Sequence, residues 1–352
     1  MSIAIDLMER GILPDALIRF GIRRLLNRRL TAIAAAARHG EEANFVQSLH
    51  HGPIAVQTDK ANEQHYEVPA AFFARVLGPR LKYSSCYWPD ATDDLGQAEE
   101  HMFALTAERA ELQDGQDILE LGCGWGSLTC WMAEHFPAAR ITAVSNSASQ
   151  RAFIMDRAQE RGLTNVNVVT ADMNDFNTDA TFDRVVSVEM FEHMRNYALL
   201  LERIASWLKP DGKLFVHIFC HRAHSYPFQT AGTYDWMARY FFTGGLMPAE
   251  DLLPQFNTHL QTVNQWRVNG RHYARTLRAW LDRMDAQRDA LWPLFVECYG
   301  AEEAARWFQR WRVFFMACEE LFAFRTGKEW FVTHLLMTSQ RYLKLIGGNR
   351  CL

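Results

Sequence analysis

The feature that most constrains the fold is a regular alternation of short apolar runs and amphipathic segments, which begins near residue 115. Residues that favour strands fill the short runs, which are Asp117–Leu121, Ile141–Ser145, Val166–Thr170, Arg184–Val188 and Lys213–Phe219. Helical patterns near 126–136, 148–162 and 195–208 separate these runs. Because near-continuous apolar strands that alternate with helices are buried on both faces, the pattern predicts an α/β fold with a parallel sheet.

Two later runs, His259–Val268 and Phe331–Thr338, predict further strands. Insertions near 220–257 and 270–325 are rich in aromatic residues, and the second has a helical pattern. Insertions at these points would cover the carboxyl ends of the strands, where open α/β sheets bind ligands. We therefore predict an N-terminal helical segment or lid at 1–75 and a core at 76–352, with the insertions forming a substrate cap.

The predicted N-terminal helices carry a basic stripe. Its arginines alternate with large apolar residues and are Arg19, Arg23, Arg24, Arg28 and Arg29. A basic amphipathic helix can bind an anionic membrane surface. A solvent-facing stripe on a helix that packs over the main domain is the favoured interpretation, and membrane contact is the alternative.

Composition and charge exclude several classes of protein. With 49% hydrophobic and 22% charged residues, the chain can bury a sizeable core. A net charge of -4 lacks the basic excess of a nucleic-acid-binding protein, so we expect no nucleic-acid partner. The sequence has no apolar run of about 18 residues and no basic leader, so we expect a cytoplasmic protein. Its seven cysteines lack C-x-x-C pairs and predict neither a disulfide framework nor a zinc site.

The turn after the first predicted strand carries three closely spaced glycines, Gly122, Gly124 and Gly126. Such glycines let the backbone turn sharply and approach a ligand without a Cβ in the way. A dinucleotide site would also need an acidic residue about 20 residues further on. The second strand instead ends in Val-Ser-Asn-Ser at 144–147, which disfavours a nicotinamide dehydrogenase.

The end of the third predicted strand adds to this candidate site. Asp172 could accept a hydrogen bond from the exocyclic amine of adenine, and the thioether of Met173 could pack against the ring. Taken alone, Asp172 is explained equally well as a helix N-cap. Together with the glycine turn, these residues resemble the S-adenosylmethionine site of class I methyltransferases, although the acid usual at the end of the second strand is missing.

Seven longer runs lie in a characteristic order between about Tyr66 and Thr338. They are LKYSSCYW at 81–88, LELGCGWGS at 119–127, VSNS at 144–147 followed by Gln150, EMFEHM at 189–194, FVHIFCH at 215–221, RYFFTGG at 239–245 and VNGRHYA at 268–274. In these runs the chain resembles the branch of the cyclopropane-fatty-acid synthase superfamily that contains the plant coclaurine N-methyltransferases. The resemblance implies a class I methyltransferase (Rossmann-like) fold: a mostly parallel seven-stranded sheet with an antiparallel final strand, an N-terminal helical lid and a C-terminal helical and aromatic cap.

The resemblance also implies S-adenosyl-L-methionine as the cofactor. It assigns the methionine and ribose parts to Tyr83, Ser84, Gly122, Gly124 and Gln150, and adenine to Asp172. Asn146 and Met173 complete the predicted cofactor site. Gln150 would do part of the work of the missing acid. The sulfonium needs nearby aromatic faces or oxygens, because its charge disperses as the methyl group leaves. Tyr83, Trp88 and Trp125 are candidates, with core packing as the alternative for Trp125.

This scaffold supports two chemistries. Cyclopropane synthases methylate an alkene and, by the resemblance, use a bicarbonate ion held by a cysteine, a glutamate, a histidine and a tyrosine. Glu192, His217 and Tyr273 match three of these positions. Ser85 stands at the cysteine position, and Glu189 stands where the synthases carry glycine. A carboxylate there is costly beside an alkene but suits a cationic amine.

The sequence therefore predicts N-methylation of a small, aromatic, benzylisoquinoline-like amine. The alternative is a cyclopropane-fatty-acyl-phospholipid synthase or a related lipid methyltransferase. An amine with a pKa of about 10 must lose a proton before it attacks, at a cost of about 3–4 kcal/mol near neutral pH. Glu189 and His193 are four residues apart and would share a helical face if the helix has begun there.

The resemblance implies that His193 is the base, that Glu189 anchors the ammonium and that Glu192 supports them. The predicted substrate pocket comprises Tyr87, Trp88, His217, Phe242 and Tyr273. His217, His221 and His224 could suggest a metal site, but no acid or cysteine completes a ligand set in the sequence, so we expect no metal. A homodimer is compatible with the sequence.

Overall fold

The computed structural model describes residues 3–56, 69–228 and 235–340. Its strands are β1 (Asp117–Leu121), β2 (Arg140–Ser145), β3 (Val166–Thr170), β4 (Phe182–Val188), β5 (Leu208–His221), β6 (Tyr226–Pro227), β7 (Leu246–Met247), β8 (Leu260–Val268) and β9 (Trp330–Ser339). Seven of them form one sheet in the order β3-β2-β1-β4-β5-β9-β8, and β6 pairs with β7. Strand β9 is antiparallel to β5 and β8, whereas the other neighbours in the large sheet are parallel. The predicted class I architecture is confirmed.

Strand β5 begins earlier than predicted. Leu208 already pairs with Phe182, and after an irregularity the ladder resumes with Lys213 opposite Arg184. A Cβ on Gly212 would lie 2.8 Å from the carbonyl oxygen of Phe182, so only glycine fits this close approach. The apolar pattern misses the start of the strand because polar residues and a proline interrupt it there.

Within the described residues, the chain begins with the helices α1 (Ile3–Glu9), α2 (Asp15–Arg38), α3 (Glu41–Ser48) and α4 (Ala70–Val76). Arg19 on α2 forms ion pairs with Glu319 at 2.8 Å and with Glu320 at 3.0 Å. Arg23 also contacts Glu320, at 2.9 Å. Part of the basic stripe thus attaches α2 to the C-terminal region, where Arg19 is largely covered and Arg23 stays half-exposed. Among the described residues, no helix is both long and apolar enough to cross a membrane.

The helices that flank the sheet are α5 (Leu95–Arg109), α6 (Ser127–His135), α7 (Ala148–Glu160) and α8 (Tyr197–Trp207). Side-chain caps account for two of their starts. Ser147 accepts a hydrogen bond from the backbone N–H of Gln150, and Asn196 accepts one from Leu199. These starts fall close to the ones that the amphipathic pattern predicts.

The C-terminal cap is built from α9 (Trp236–Tyr240), α10 (Gly270–Ala286), α11 (Arg288–Tyr299) and α12 (Ala304–Ala323). Trp280 and Trp311 are fully buried in it. The ring of Trp311 packs on Phe72 of α4, with 4.8 Å between ring centroids. Helix α4, which contains the boundary predicted at residue 75, therefore packs against the cap. The division of the chain into 1–75 and 76–352 remains a prediction.

Candidate active site

A cavity of about 190 Å³ lies between the carboxyl ends of β1 and β4 and the C-terminal cap. Its walls differ in chemistry. The sheet side includes Gly122, Cys123, Gly124, Glu189 and Glu192, and the cap side includes Phe242, Tyr273, Trp280, Phe314 and Phe322. A molecule in this cavity would meet carboxyl groups on one side and aromatic rings on the other.

The glycine turn requires backbone conformations that side chains disfavour. The φ angles are +80° at Gly122, +52° at Gly124 and +72° at Gly126. A Cβ on Gly122 would lie 2.7 Å from Cγ of Met190, whereas a Cβ on Gly124 would meet nothing within 4 Å. Gly124 therefore leaves its backbone open to the cavity, and Gly126 caps helix α6.

A buried carboxyl group on β1 supports the glycine turn. Glu120 on β1 accepts a hydrogen bond from the hydroxyl of Thr129 at 2.5 Å, which joins the strand to α6. Burial raises the pKa of Glu120 to about 8, against a partial opposing effect of the Thr129 hydroxyl. The group is consequently mostly protonated at neutral pH.

The predicted cofactor residues around this turn fit S-adenosylmethionine. Tyr83 and Ser84 line the cavity beside the glycines. Gln150 is buried, and its Oε1 accepts a hydrogen bond from the hydroxyl of Ser145 at 2.6 Å. Its Nε2 has no hydrogen-bond partner in the described part of the chain. A buried amide without an acceptor is costly, and a ribose hydroxyl would supply one.

Three other predicted cofactor residues follow β2 and β3, which are neighbours in the sheet. Asn146 is exposed. Asp172 accepts a hydrogen bond from the backbone N–H of Asn174 at 2.7 Å, but a turn and not a helix follows it, so the helix N-cap alternative is wrong. Met173 is buried within the core. Contacts of these residues with the cofactor remain predictions.

Glu189 directly follows β4 and has a φ of +49°, which is uncommon for a residue other than glycine. Its Oε1 accepts hydrogen bonds from the backbone N–H of Ser85 at 2.9 Å and from His217 Nε2 at 3.2 Å. Its Oε2 accepts one from the Tyr273 hydroxyl at 2.6 Å. Burial raises the pKa of this carboxyl group, while the Lys82 ammonium and two of these donors act in the opposite direction. The donors hold a carboxylate in one orientation at the wall of the cavity.

Glu192 lies in a different environment. It is fully buried, and neither carboxyl oxygen has a hydrogen-bond partner among the described residues. Burial raises its pKa well above the usual range, and the nearby charge of Glu189 adds to the effect. Of the two carboxyl groups, Glu189 has the donors that stabilise an anion, whereas the surroundings of Glu192 favour its protonated form.

His193 does not share a helical face with Glu189. The helix has not begun at residue 189, because Glu189 has a left-handed backbone conformation and residues 191–193 form one 3₁₀ turn. Met194 then returns to an extended conformation. The His193 ring instead stacks on Phe242, with 5.8 Å between centroids and an angle of 1° between the rings. Because Phe242 lines the cavity, His193 lies next to the cavity wall.

The predicted substrate residues fall into two groups. Phe242 and Tyr273 line the cavity, and His217 lies behind Glu189. Tyr87 packs on His272, and the indole N–H of Trp88 donates to the Thr276 hydroxyl at 2.9 Å. Neither Tyr87 nor Trp88 is among the described residues that line this cavity, because both pack on helix α10. Their role in substrate binding remains a prediction.

The other two histidines of the possible metal site each contact a carboxylate. His221 lies 3.2 Å from Glu329, and His224 lies 2.8 Å from Glu42. Within the described residues, no group of three or more His, Cys, Asp or Glu side chains is arranged to hold a metal ion. The structure thus gives these histidines acidic partners that are distant in the sequence.

Sequence reasoning missed Lys82. Its side chain is buried, its ammonium contacts the Ser84 hydroxyl, and it lies 5.7 Å from the centre of the Phe103 ring. Burial lowers the pKa of this lysine. The residue stands in the LKYSSCYW run beside Tyr83, but a sequence does not show which of its lysines is buried. Cavity residues contributed by α12, such as Phe314 and Phe322, were likewise expected only as part of an aromatic cap.

Comparison with known proteins identifies the family. The family described as Mycolic acid cyclopropane synthetase matches residues 55–330. The (S)-coclaurine N-methyltransferase of Thalictrum flavum subsp. glaucum is 37% identical over 336 residues, which are 94% of this chain and 93% of that protein. Pavine N-methyltransferase of the same plant is 35% identical over 295 residues, which are 83% of each chain.

A solved structure agrees with these relatives. The crystal structure of a coclaurine N-methyltransferase bound to N-methylheliamine and SAH is 36% identical, with a TM-score of 0.91, and the match covers 95% of this chain and 98% of that one. The chain therefore belongs to the Mycolic acid cyclopropane synthetase family of S-adenosylmethionine-dependent enzymes, on its coclaurine N-methyltransferase-like branch.

Proposed function

We propose that the protein transfers the methyl group of S-adenosylmethionine to the nitrogen of a small, aromatic, benzylisoquinoline-like amine. The observation that carries this proposal is the Glu189 carboxylate, which three donors hold at the wall of a cavity with aromatic side chains opposite. An ammonium group would pair with the carboxylate, and the rings attached to it would pack on the aromatic wall.

The three titratable residues of the EMFEHM run each have a proposed role. Glu189 anchors the ammonium form of the substrate. His193, which lies next to the cavity wall, accepts the proton that the nitrogen must lose. Glu192, protonated and without a donor of its own, supports this arrangement because it adds no second negative charge to the site.

The bound cofactor supplies an electrophilic methyl group on a sulfonium. Tyr83, Ser84, the glycine turn and Gln150 would hold it, as their position and the buried amide of Gln150 suggest. The chain's own contribution to the reaction is orientation and the exclusion of water. Trp280, Phe314 and Phe322 close the cap side of the cavity, so that the amine nitrogen loses its water shell only where Glu189 is available.

The hydrogen bonds at the cavity wall also argue against cyclopropane synthesis. The resemblance places bicarbonate in the synthases against a histidine and a tyrosine that match His217 and Tyr273. In this chain, His217, Tyr273 and the N–H of Ser85 all donate to the Glu189 carboxylate. Donors engaged in this way are not available to hold a free bicarbonate ion.

Two parallel incubations test the proposal. Purified protein and methyl-labelled S-adenosylmethionine are mixed with a panel of benzylisoquinoline-type amines in one tube and with unsaturated phospholipid vesicles in another. We expect label in the amine fraction and none above the heat-inactivated control in the lipid fraction. Label in the lipid alone would replace this function by the lipid alternative.

Three further predictions rest on the sequence. We propose a cytoplasmic location, and a homodimer is compatible with the chain. The favoured interpretation of the N-terminal helices gives them no membrane role, and the ion pairs of Arg19 with Glu319 and Glu320 support it. Light scattering measures the oligomeric state, and flotation with anionic vesicles measures membrane contact.

A further inference from the structure

Three side chains form a continuous hydrogen-bonded chain that ends on Glu189. Arg109, at the end of α5, lies with its Nη1 2.9 Å from Nδ1 of His334. Nε2 of His334 lies 2.9 Å from Nδ1 of His217, and Nε2 of His217 lies 3.2 Å from Oε1 of Glu189. The two histidines are cross-strand neighbours, because His217 on β5 pairs with His334 on β9. The sheet itself therefore fixes the spacing of the two rings.

The chemistry of the end groups sets the direction of every bond in this chain. A guanidinium only donates, so Nδ1 of His334 must accept. A neutral imidazole has one N–H, so His334 carries its proton on Nε2 and donates to Nδ1 of His217. His217 then carries its proton on Nε2 and donates to Glu189. All three bonds point toward the carboxylate.

The surroundings keep both histidines neutral. His217 and His334 are fully buried, and burial lowers the pKa of each well below its usual range. The positive charges of Lys82 and Arg109 lower both pKa values further. Neither ring therefore carries a second N–H that would reverse a bond.

We propose that Arg109 and His334 are positioning residues that act through His217: they lock both histidines as Nε2–H tautomers and so keep a donor aimed at the Glu189 carboxylate. The inference rests on the proposed function only in that Glu189 is taken to anchor the substrate ammonium. The lock itself is a property of the protein without substrate.

The lock has a consequence for proton movement. Arg109 keeps its own proton, so the chain cannot take a proton from Glu189 and carry it across the sheet. A proton released by the amine must leave on the cavity side. Apart from His217, the charged and titratable groups that interact with Glu189 are Lys82, Cys86, Glu192, Tyr273 and Cys318.

Nitrogen-15 NMR of labelled histidines tests the lock directly and without substrate. In the wild-type protein, the resonances of both rings should show a protonated Nε2 and an unprotonated Nδ1, with assignment from His217→Gln and His334→Gln. The same tautomers should persist in Glu189→Gln, because Arg109 still sets the direction from its end. In the double variant Arg109→Met/Glu189→Gln, neither a guanidinium nor a carboxylate fixes the direction of the hydrogen bonds. Both histidine tautomers should then appear. A protonated Nδ1 in the wild type, or unchanged tautomers in the double variant, would overturn the proposal.

The pH dependence of kcat/KM for the amine tests whether the lock matters to the reaction. Arg109→Met removes the guanidinium that donates to His334, so His217 becomes a weaker donor to Glu189. The pKa of the Glu189 carboxyl group then rises, and the acid limb of the profile should move up by about one pH unit. Arg109→Lys keeps a donor and should largely restore the wild-type profile.

A matched control separates this effect from lost packing. Arg184 is a nearby, partly buried arginine whose guanidinium bonds to Ala110, Asp183 and Glu111 and to neither histidine. Arg184→Met should leave the acid limb in place, and an equal shift in both variants would remove the positioning role. If no amine is methylated at all, the proposed function fails, whereas the tautomer experiment still decides the lock.

Discussion

Substituting glutamine for Glu189 separates the charge of this residue from its shape. The amide oxygen can still accept from the N–H of Ser85 and from His217, and the Tyr273 hydroxyl can accept from the new NH₂ group. Glu189→Gln should therefore keep its position and lose only its negative charge. Neutralising one partner of a buried charge pair costs about 2–5 kcal/mol, and the preserved hydrogen bonds favour the lower end. We expect kcat/KM for the amine to fall by about 100-fold.

The assay measures kcat and KM separately across a range of amine concentrations. Loss of the ammonium anchor should raise KM as well as lower kcat, while cofactor affinity measured by calorimetry should not change. Because the substitution also removes a desolvated charge, the melting temperature should not fall. Glu202→Gln, on the exposed surface of α8, is the matched control and should behave as wild type. A folded Glu189→Gln with unchanged kcat/KM would refute the ammonium anchor.

Four further predictions follow from the same geometry. Gly124→Val places a branched side chain in space that is now open, so calorimetry should show weakened binding of S-adenosylmethionine and S-adenosylhomocysteine; unchanged affinity would mean that the cofactor lies elsewhere. Rates in degassed buffer should not respond to added bicarbonate, and strong stimulation would favour the lipid chemistry. His193→Ala should lose kcat most near neutral pH and partly recover as the pH approaches the pKa of the amine, whereas a profile parallel to wild type in a stable variant would remove the base role. The pKa of Glu120 is raised to about 8 from 4.5, so the folded state holds a proton that the unfolded state releases, and stability should decline as the pH rises across that window. Glu120→Gln should flatten this decline in melting temperature, and an unchanged slope would contradict the buried-acid interpretation.

The sheet was predictable because its information is local. The runs at Asp117–Leu121 and Val166–Thr170 are apolar and bounded by turn residues, and both strands lie where the pattern puts them. The glycines of the turn were recognisable for the same reason, since three glycines within five residues have few other uses between a strand and a helix. Local patterns of this kind need no knowledge of distant contacts.

The arrangement of the candidate catalytic groups was less predictable because it depends on contacts between distant residues. The spacing of Glu189 and His193 suggested a shared helical face, but Glu189 has a left-handed backbone conformation and His193 ends a 3₁₀ turn. Lys82 and His334 stand in the sequence without any sign that they are buried, and only the pairing of β5 with β9 brings His334 to His217. Burial and cross-strand register are tertiary properties that a single sequence does not encode in a readable form.

The backbone at Glu189 connects the two chemistries of this scaffold. Its φ of +49° lies in the region that favours glycine, and glycine is what the resemblance places there in the cyclopropane synthases. A non-glycine residue in this conformation costs about 1–2 kcal/mol, which the three hydrogen bonds to its carboxylate offset. In the synthases, donors at these positions would surround a free anion beside a glycine. In this chain they surround a side chain that carries its own negative charge. In the proposed function, attaching the charge to the backbone would replace a diffusible base by a fixed partner for an ammonium group, while His217 and Tyr273 remain as donors to that charge.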